Sequence, residues 1–88
     1  MLRIELEVFG GNSPIRRGPF DLPRRSTVNE LLSRLEAEGD MPRKYGDGEG
    51  FSEFIVFVNG TNVMVGSLLD AELAEGDRVV VLPALAGG

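Results

Sequence analysis

The sequence predicts an α+β fold, a mixed β-sheet packed on one main helix. Three observations carry that prediction. Residues 2–8 alternate apolar and charged side chains, residues 27–35 combine a helix-start signal with one apolar stripe, and residues 78–82 form a strongly β-branched run. The order strand, strand, helix, strand, short strand, strand is that of one sheet wrapped over a helix rather than of repeated βαβ units.

Leu2, Ile4, Leu6 and Val8 alternate with Arg3, Glu5 and Glu7, the period of a half-buried strand. Gly10-Gly11-Asn12-Ser13-Pro14 breaks the pattern, and Phe20 and Leu22, between Pro19 and Pro23, predict an antiparallel return whose prolines suit a sheet edge. In Thr27-Val28-Asn29-Glu30 the threonine and glutamate are spaced for a capping box. Val28, Leu31, Leu32 and Leu35 then follow the spacing of one buried helical stripe, and Gly39 stands where a left-handed cap ends a helix. Residues 40–53 lack periodicity and predict a long surface loop.

Phe54–Val58 is apolar throughout, which predicts a strand covered on both faces or central in its sheet. Asn59-Gly60 predicts a tight hairpin turn leading into a short strand over 62–65. Leu68, Leu69 and Leu73 suggest a short helical or turn segment. Glu75-Gly76-Asp77 is a further turn before the last strand, Arg78–Leu82, which Pro83 stops and which is expected to pair centrally with the first. A single domain is therefore expected over 1–83, with an exposed tail over 84–88.

The composition narrows the function. Cysteine and histidine are both absent, so thiolate chemistry is excluded and the commonest general base and metal ligands are missing. Catalysis by this chain alone is not expected, and no bound cofactor or metal. No apolar run approaches a membrane span or a signal peptide, which predicts a soluble cytoplasmic protein. The net charge of −5 is uneven, +1 over residues 1–44 and −6 over 45–88, so nucleic acid is a poor partner for the second half. Arg16-Arg17 and Arg24-Arg25 read as a solvated face. Asp70, Glu72, Glu75 and Asp77 fit no metal loop and read as solubilising a turn, or as meeting a basic partner. Phe57 and Met64 belong to an apolar set larger than one sheet face must bury, which makes them a possible partner surface.

The remaining signal is Pro83-Ala84-Leu85-Ala86-Gly87-Gly88. Pro83 gives a stiff exit, Leu85 one apolar anchor, Ala86 and Gly87 small neighbours, and Gly88 a carboxylate unobstructed by side chains. Such a tail can enter a narrow enzyme channel. Its carboxylate must be activated, for instance as a mixed anhydride with AMP, before sulfur or an amine can attack.

With Phe57-Val58-Asn59-Gly60 and Glu75-Gly76-Asp77, the ending Val81–Gly88 resembles the ubiquitin-like sulfur carrier family (MoaD/ThiS), and most closely the small subunit of molybdopterin synthase. The resemblance implies a β-grasp fold and adenylation of Gly88, with ATP, by an enzyme similar to ubiquitin-activating enzymes. It further implies a C-terminal thiocarboxylate, a sulfurtransferase as donor, and recognition of the tail through Pro83, Leu85, Ala86 and Gly87. The implied acceptor is the molybdopterin synthase large subunit or another sulfur-acceptor enzyme, with cysteine and thiamin synthesis as alternative destinations. A rival reading is a protein modifier, in which a lysine of a target protein attacks the activated Gly88 to form an isopeptide bond. A third is a plain interaction domain of the same fold.

Overall fold

The computed structural model describes residues 1–10, 13–41 and 54–83. Five strands form one sheet in the order β2-β1-β5-β3-β4. β1 (Leu2–Gly10) pairs antiparallel with β2 (Ser13–Leu22) and parallel with β5 (Arg78–Pro83), and β5 pairs antiparallel with β3 (Phe54–Val58). The first and last long strands do meet at the centre of the sheet. Along β1 the alternation is realised literally: Leu2, Ile4, Leu6 and Val8 are buried, whereas Arg3 and Glu5 are exposed.

β2 lies on the edge, as its prolines require, but it is longer than the sequence suggests and starts at Ser13. The register explains how two prolines five residues apart are accommodated. Val8 faces Arg16 while Phe9 faces Pro14, so Ile15 is an extra, bulged residue that restores the phase between Pro14 and Pro19. Leu22, Phe20 and Arg16 share the side facing the helix. The Arg16 guanidinium lies 4.6 Å from the Phe20 ring centre and binds Glu38 at 2.6 Å and Asp40 at 2.7 Å, just past the helix C-terminus. Arg16 is thus a clamp between edge strand and helix, not part of a solvated face. Hydrogen bonds from the guanidinium to these two carboxylates raise its pKa further.

The helix α1 (Val28–Ala37) begins with the expected capping box, Thr27 Oγ1 accepting from Glu30 N at 3.2 Å and Glu30 Oε1 from Thr27 N at 3.0 Å. Val28, Leu31, Leu32 and Leu35 are its buried stripe. At the other end Gly39 has φ +77°, Gly39 N donates to Glu36 O and Asp40 N to Leu35 O, which is the Schellman arrangement.

Two expectations need correction. Only Val56 of β3 is fully buried; Phe54, Ile55, Phe57 and Val58 are half-buried, so the strand is interior to the sheet, between β5 and β4, but not covered on both faces. The strand after Asn59-Gly60 is β4 (Thr61–Asn62), shorter and one residue earlier than expected. Asn62 Oδ1 accepts from Met64 N at 2.9 Å, a local turn that diverts the chain into a 3₁₀ helix, Val65–Asp70. Val63 still reaches back, its N–H donating to Val56 O, and is buried. No helix among the described residues is long and apolar enough to cross a membrane. The expected loop from residue 42 onward lies outside the described residues, as do Leu85, Ala86, Gly87 and Gly88.

Candidate functional site

The site is built on β5, the strand that leads to the tail. Its start is fixed by two turns that the sequence places 17 residues apart, Asn59-Gly60 and Gly76-Asp77. Asn59 and Gly60 take φ +53° and +86°, the primed-turn geometry for which Asn-Gly is suited. The Asn59 side chain then joins the turns: its Oδ1 accepts from Arg78 N at 3.0 Å and its Nδ2 donates to Asp77 Oδ1 at 3.0 Å. Asp77 Oδ2 accepts from Ala74 N at 2.8 Å, and Asp77 O accepts from Glu5 N at 2.8 Å on β1. The motif residues quoted from the sequence therefore converge on one bonded knot holding the entry to the central strand.

Glu75 and Asp70 are similarly engaged, Glu75 Oε1 accepting from Arg3 N at 3.0 Å and Asp70 Oδ1 from Asn29 Nδ2 at 2.9 Å. These carboxylates shape turns rather than merely solubilise them, and no group of three potential ligands gathers to hold a metal among the described residues. Asp77→Ala removes two hydrogen bonds in a partly solvated setting and is expected to cost about 1–2 kcal/mol, read by denaturant titration. Asp77→Asn, which keeps acceptor capacity, is expected to recover part of that loss.

The sheet face turned away from α1 divides by chemistry. On the β1–β2 side it is polar and paired across the strands, Arg3 with Asp21 at 2.8 Å and Arg17 with Glu7 at 3.3 Å. The bond from Arg3 holds the Asp21 carboxyl below its ordinary pKa. On the β5–β3 side it is apolar: the cross-strand pairs Ile55–Leu82 and Phe57–Val80 are all half-buried. This stripe runs beside an open groove of ≈ 650 Å³ lined by Phe57, Asn59, Gly60, Gly76, Arg78 and Val80, and it follows β5 to Pro83.

Phe57 lines the groove. Met64, 37% exposed at the start of the 3₁₀ helix, does not. Pro83 is still paired in the sheet, opposite Phe54. Nothing in the sequence marks Arg78 as part of the groove wall, because its neighbours read only as a strand. Asn59 could have been found as more than a turn former, since aspartate or glycine would serve the turn but lack its paired donor and acceptor.

The sequence pattern of the ThiS family matches residues 8–88. A candidate sulfur carrier protein of Archaeoglobus fulgidus is 37% identical over 82 residues, covering 84% of this chain and 89% of that protein. Among solved structures, a Haloferax volcanii protein determined in solution superposes with a TM-score of 0.65 at 30% identity, covering 99% of this chain and 87% of the other. Small archaeal modifier protein 1 of Haloferax volcanii gives 0.65 at 26% identity, covering 98% and 99%. The fold is the ubiquitin-like β-grasp.

Proposed function

Because the chain belongs to the ThiS family of ubiquitin-like sulfur carriers, we propose that its Gly88 carboxylate is the group it carries into chemistry. In this reading a partner enzyme joins the carboxylate to the α-phosphate of ATP, releasing pyrophosphate; the persulfide of a sulfurtransferase then displaces AMP to form an acyl disulfide, which a thiol cleaves, leaving the thiocarboxylate and a disulfide. The chain is a carrier rather than an enzyme and brings neither cysteine nor histidine to these steps. The observation that carries the proposal is the family match itself, which extends through Gly88, five residues beyond the end of β5.

The geometry supports a division of labour. β5 is paired on both sides through Val81 and on the β3 side through Pro83, so the chain leaves the sheet at a defined point, and five further residues span at most about 17 Å when extended. That reach suits insertion into a partner's channel, with Leu85 as anchor and Ala86 and Gly87 as small passages. The apolar β5–β3 stripe, running from the groove at the start of β5 to the Ile55–Leu82 pair beside that departure point, supplies a docking face for the activating enzyme. Phe57→Glu is expected to weaken that complex at least tenfold in Kd with little loss of fold, since Phe57 is half-buried and outside the core cluster.

For the acceptor we propose the large subunit of molybdopterin synthase, working in the cytoplasm, because Val81–Gly88 resembles the ending of that enzyme's small subunit. Reconstitution tests it: the thiocarboxylated chain with the large subunit should convert the pterin precursor, and the unmodified chain should not. Thiocarboxylate formation without pterin conversion would remove this acceptor and leave the carrier role standing. A second reading, attachment of Gly88 to lysines of target proteins, is favoured by the similarity to a small archaeal modifier protein along nearly the whole chain.

A further inference from the structure

The turn between β2 and α1 holds a backbone outlier. Arg25 has φ +69°, a left-handed conformation that costs an L-residue with a Cβ and that glycine or asparagine occupies more readily. The conformation is imposed from both sides. Ser26 N and Oγ both bind Pro23 O, at 3.2 and 2.7 Å, closing the turn, and Ser26 O accepts from Leu73 N at 2.8 Å. Ser26 is itself buried and cannot drift to relieve its neighbour. Strain retained in so constrained a place points to a use for the side chain that is strained.

That side chain borders an open hollow of ≈ 340 Å³ lined by Met1, Leu2, Arg24, Arg25, Leu73, Ala74 and Glu75. The floor is apolar. Neither Arg24 nor Arg25 has a carboxylate within ion-pair distance among the described residues, in contrast to Arg3, Arg16 and Arg17. The nearby acids are engaged, Glu75 by Arg3 N and Asp21 by the Arg3 guanidinium. The hollow also lies at the pole opposite the tail, because β1 and β5 are parallel and both begin there, while Pro83 ends β5 at the other pole.

We propose that this hollow is a second docking site, for an acidic peptide segment of a partner protein. Carboxylates of the segment would meet Arg24 and Arg25, and one apolar side chain would rest against the exposed Met1 above the edges of Leu2 and Leu73. A polyphosphate or a nucleic-acid backbone fits less well, because it brings no apolar group to the mainly apolar lining of the hollow. The hollow adjoins the groove at the Glu75-Gly76 step but shares none of its lining residues, and the site does not depend on the activation of Gly88.

The test is a titration of the ¹⁵N-labelled full chain with a synthetic peptide carrying one leucine between glutamates, followed by amide shifts. The expected result is saturable shifts at Arg24, Arg25, Leu73 and Ala74, none at Phe57 or Val80, and binding that weakens with salt. Arg25→Gly should raise Tm by roughly 4 °C or more through relief of the left-handed residue while weakening the peptide at least fivefold. Arg24→Gln should weaken it with Tm unchanged. Absence of saturable shifts, binding that persists in Arg25→Gly, or tighter saturation by inorganic tripolyphosphate than by the peptide would each overturn the proposal.

Discussion

Deletion of Gly88 is expected to abolish ATP-dependent activation, measured as pyrophosphate release in the presence of the activating enzyme, while shifting Tm by less than about 2 °C. The contrast follows from where the energy and the chemistry reside. Every buried apolar residue of the core among those described lies between Leu2 and Val81, and the last paired residue is Pro83. The carboxylate of a shortened chain would sit on Gly87, one residue or about 3.5 Å short of its place in an activating site. Positioning at a reacting carbonyl tolerates far less than that displacement. A fall in both activation and Tm would instead mean that the tail contributes to the fold.

The largest loss of stability is expected from Leu35→Ala. Leu35 is fully buried on the helical stripe, and its carbonyl also accepts the Asp40 N–H of the helix cap. Truncating such a leucine costs about 2–5 kcal/mol, the spread reflecting how far the surroundings collapse into the cavity. A domain of this size has roughly 5–15 kcal/mol in total, so a substantial fraction of its stability is at stake. Denaturant unfolding should show a lowered midpoint with an unchanged slope. Leu68→Ala, on the 42% exposed side chain of the 3₁₀ helix, serves as the control and should cost under about 0.5 kcal/mol.

The features legible from sequence are those whose signals are local and periodic. β1 declares itself because one face is solvated, so its charges alternate with its apolar residues. α1 does so because Thr27, Glu30 and Gly39 satisfy its ends within the same stretch that carries the stripe. The family-like ending and the two turns were also visible. Hidden features depend on partners distant in the chain. β2 is extended through Arg16 because that arginine finds Phe20 and the two carboxylates beyond α1, and the bulge at Ile15 brings its prolines into phase. β3 reads as doubly covered because its outer residues are apolar, whereas in the sheet they form an open stripe with Val80 and Leu82. β4 is cut short by the single bond from Met64 N to Asn62. The left-handed Arg25 has no sequence signal at all, since arginine does not mark positive φ. The groove joins Asn59 to Asp77 through a bond that neither turn reveals alone.

The central claim is that Gly88 is the reactive end of a sulfur carrier, and intact mass spectrometry of the chain from its native cells addresses it most directly. The predicted result is a population heavier by the exchange of one oxygen for sulfur, with fragmentation placing the change on the Gly88 carboxylate. A branched peptide joining Gly88 to a lysine of another protein would favour the modifier reading. A terminus that stays unmodified with the activating enzyme, ATP and a sulfur donor present would contradict the account.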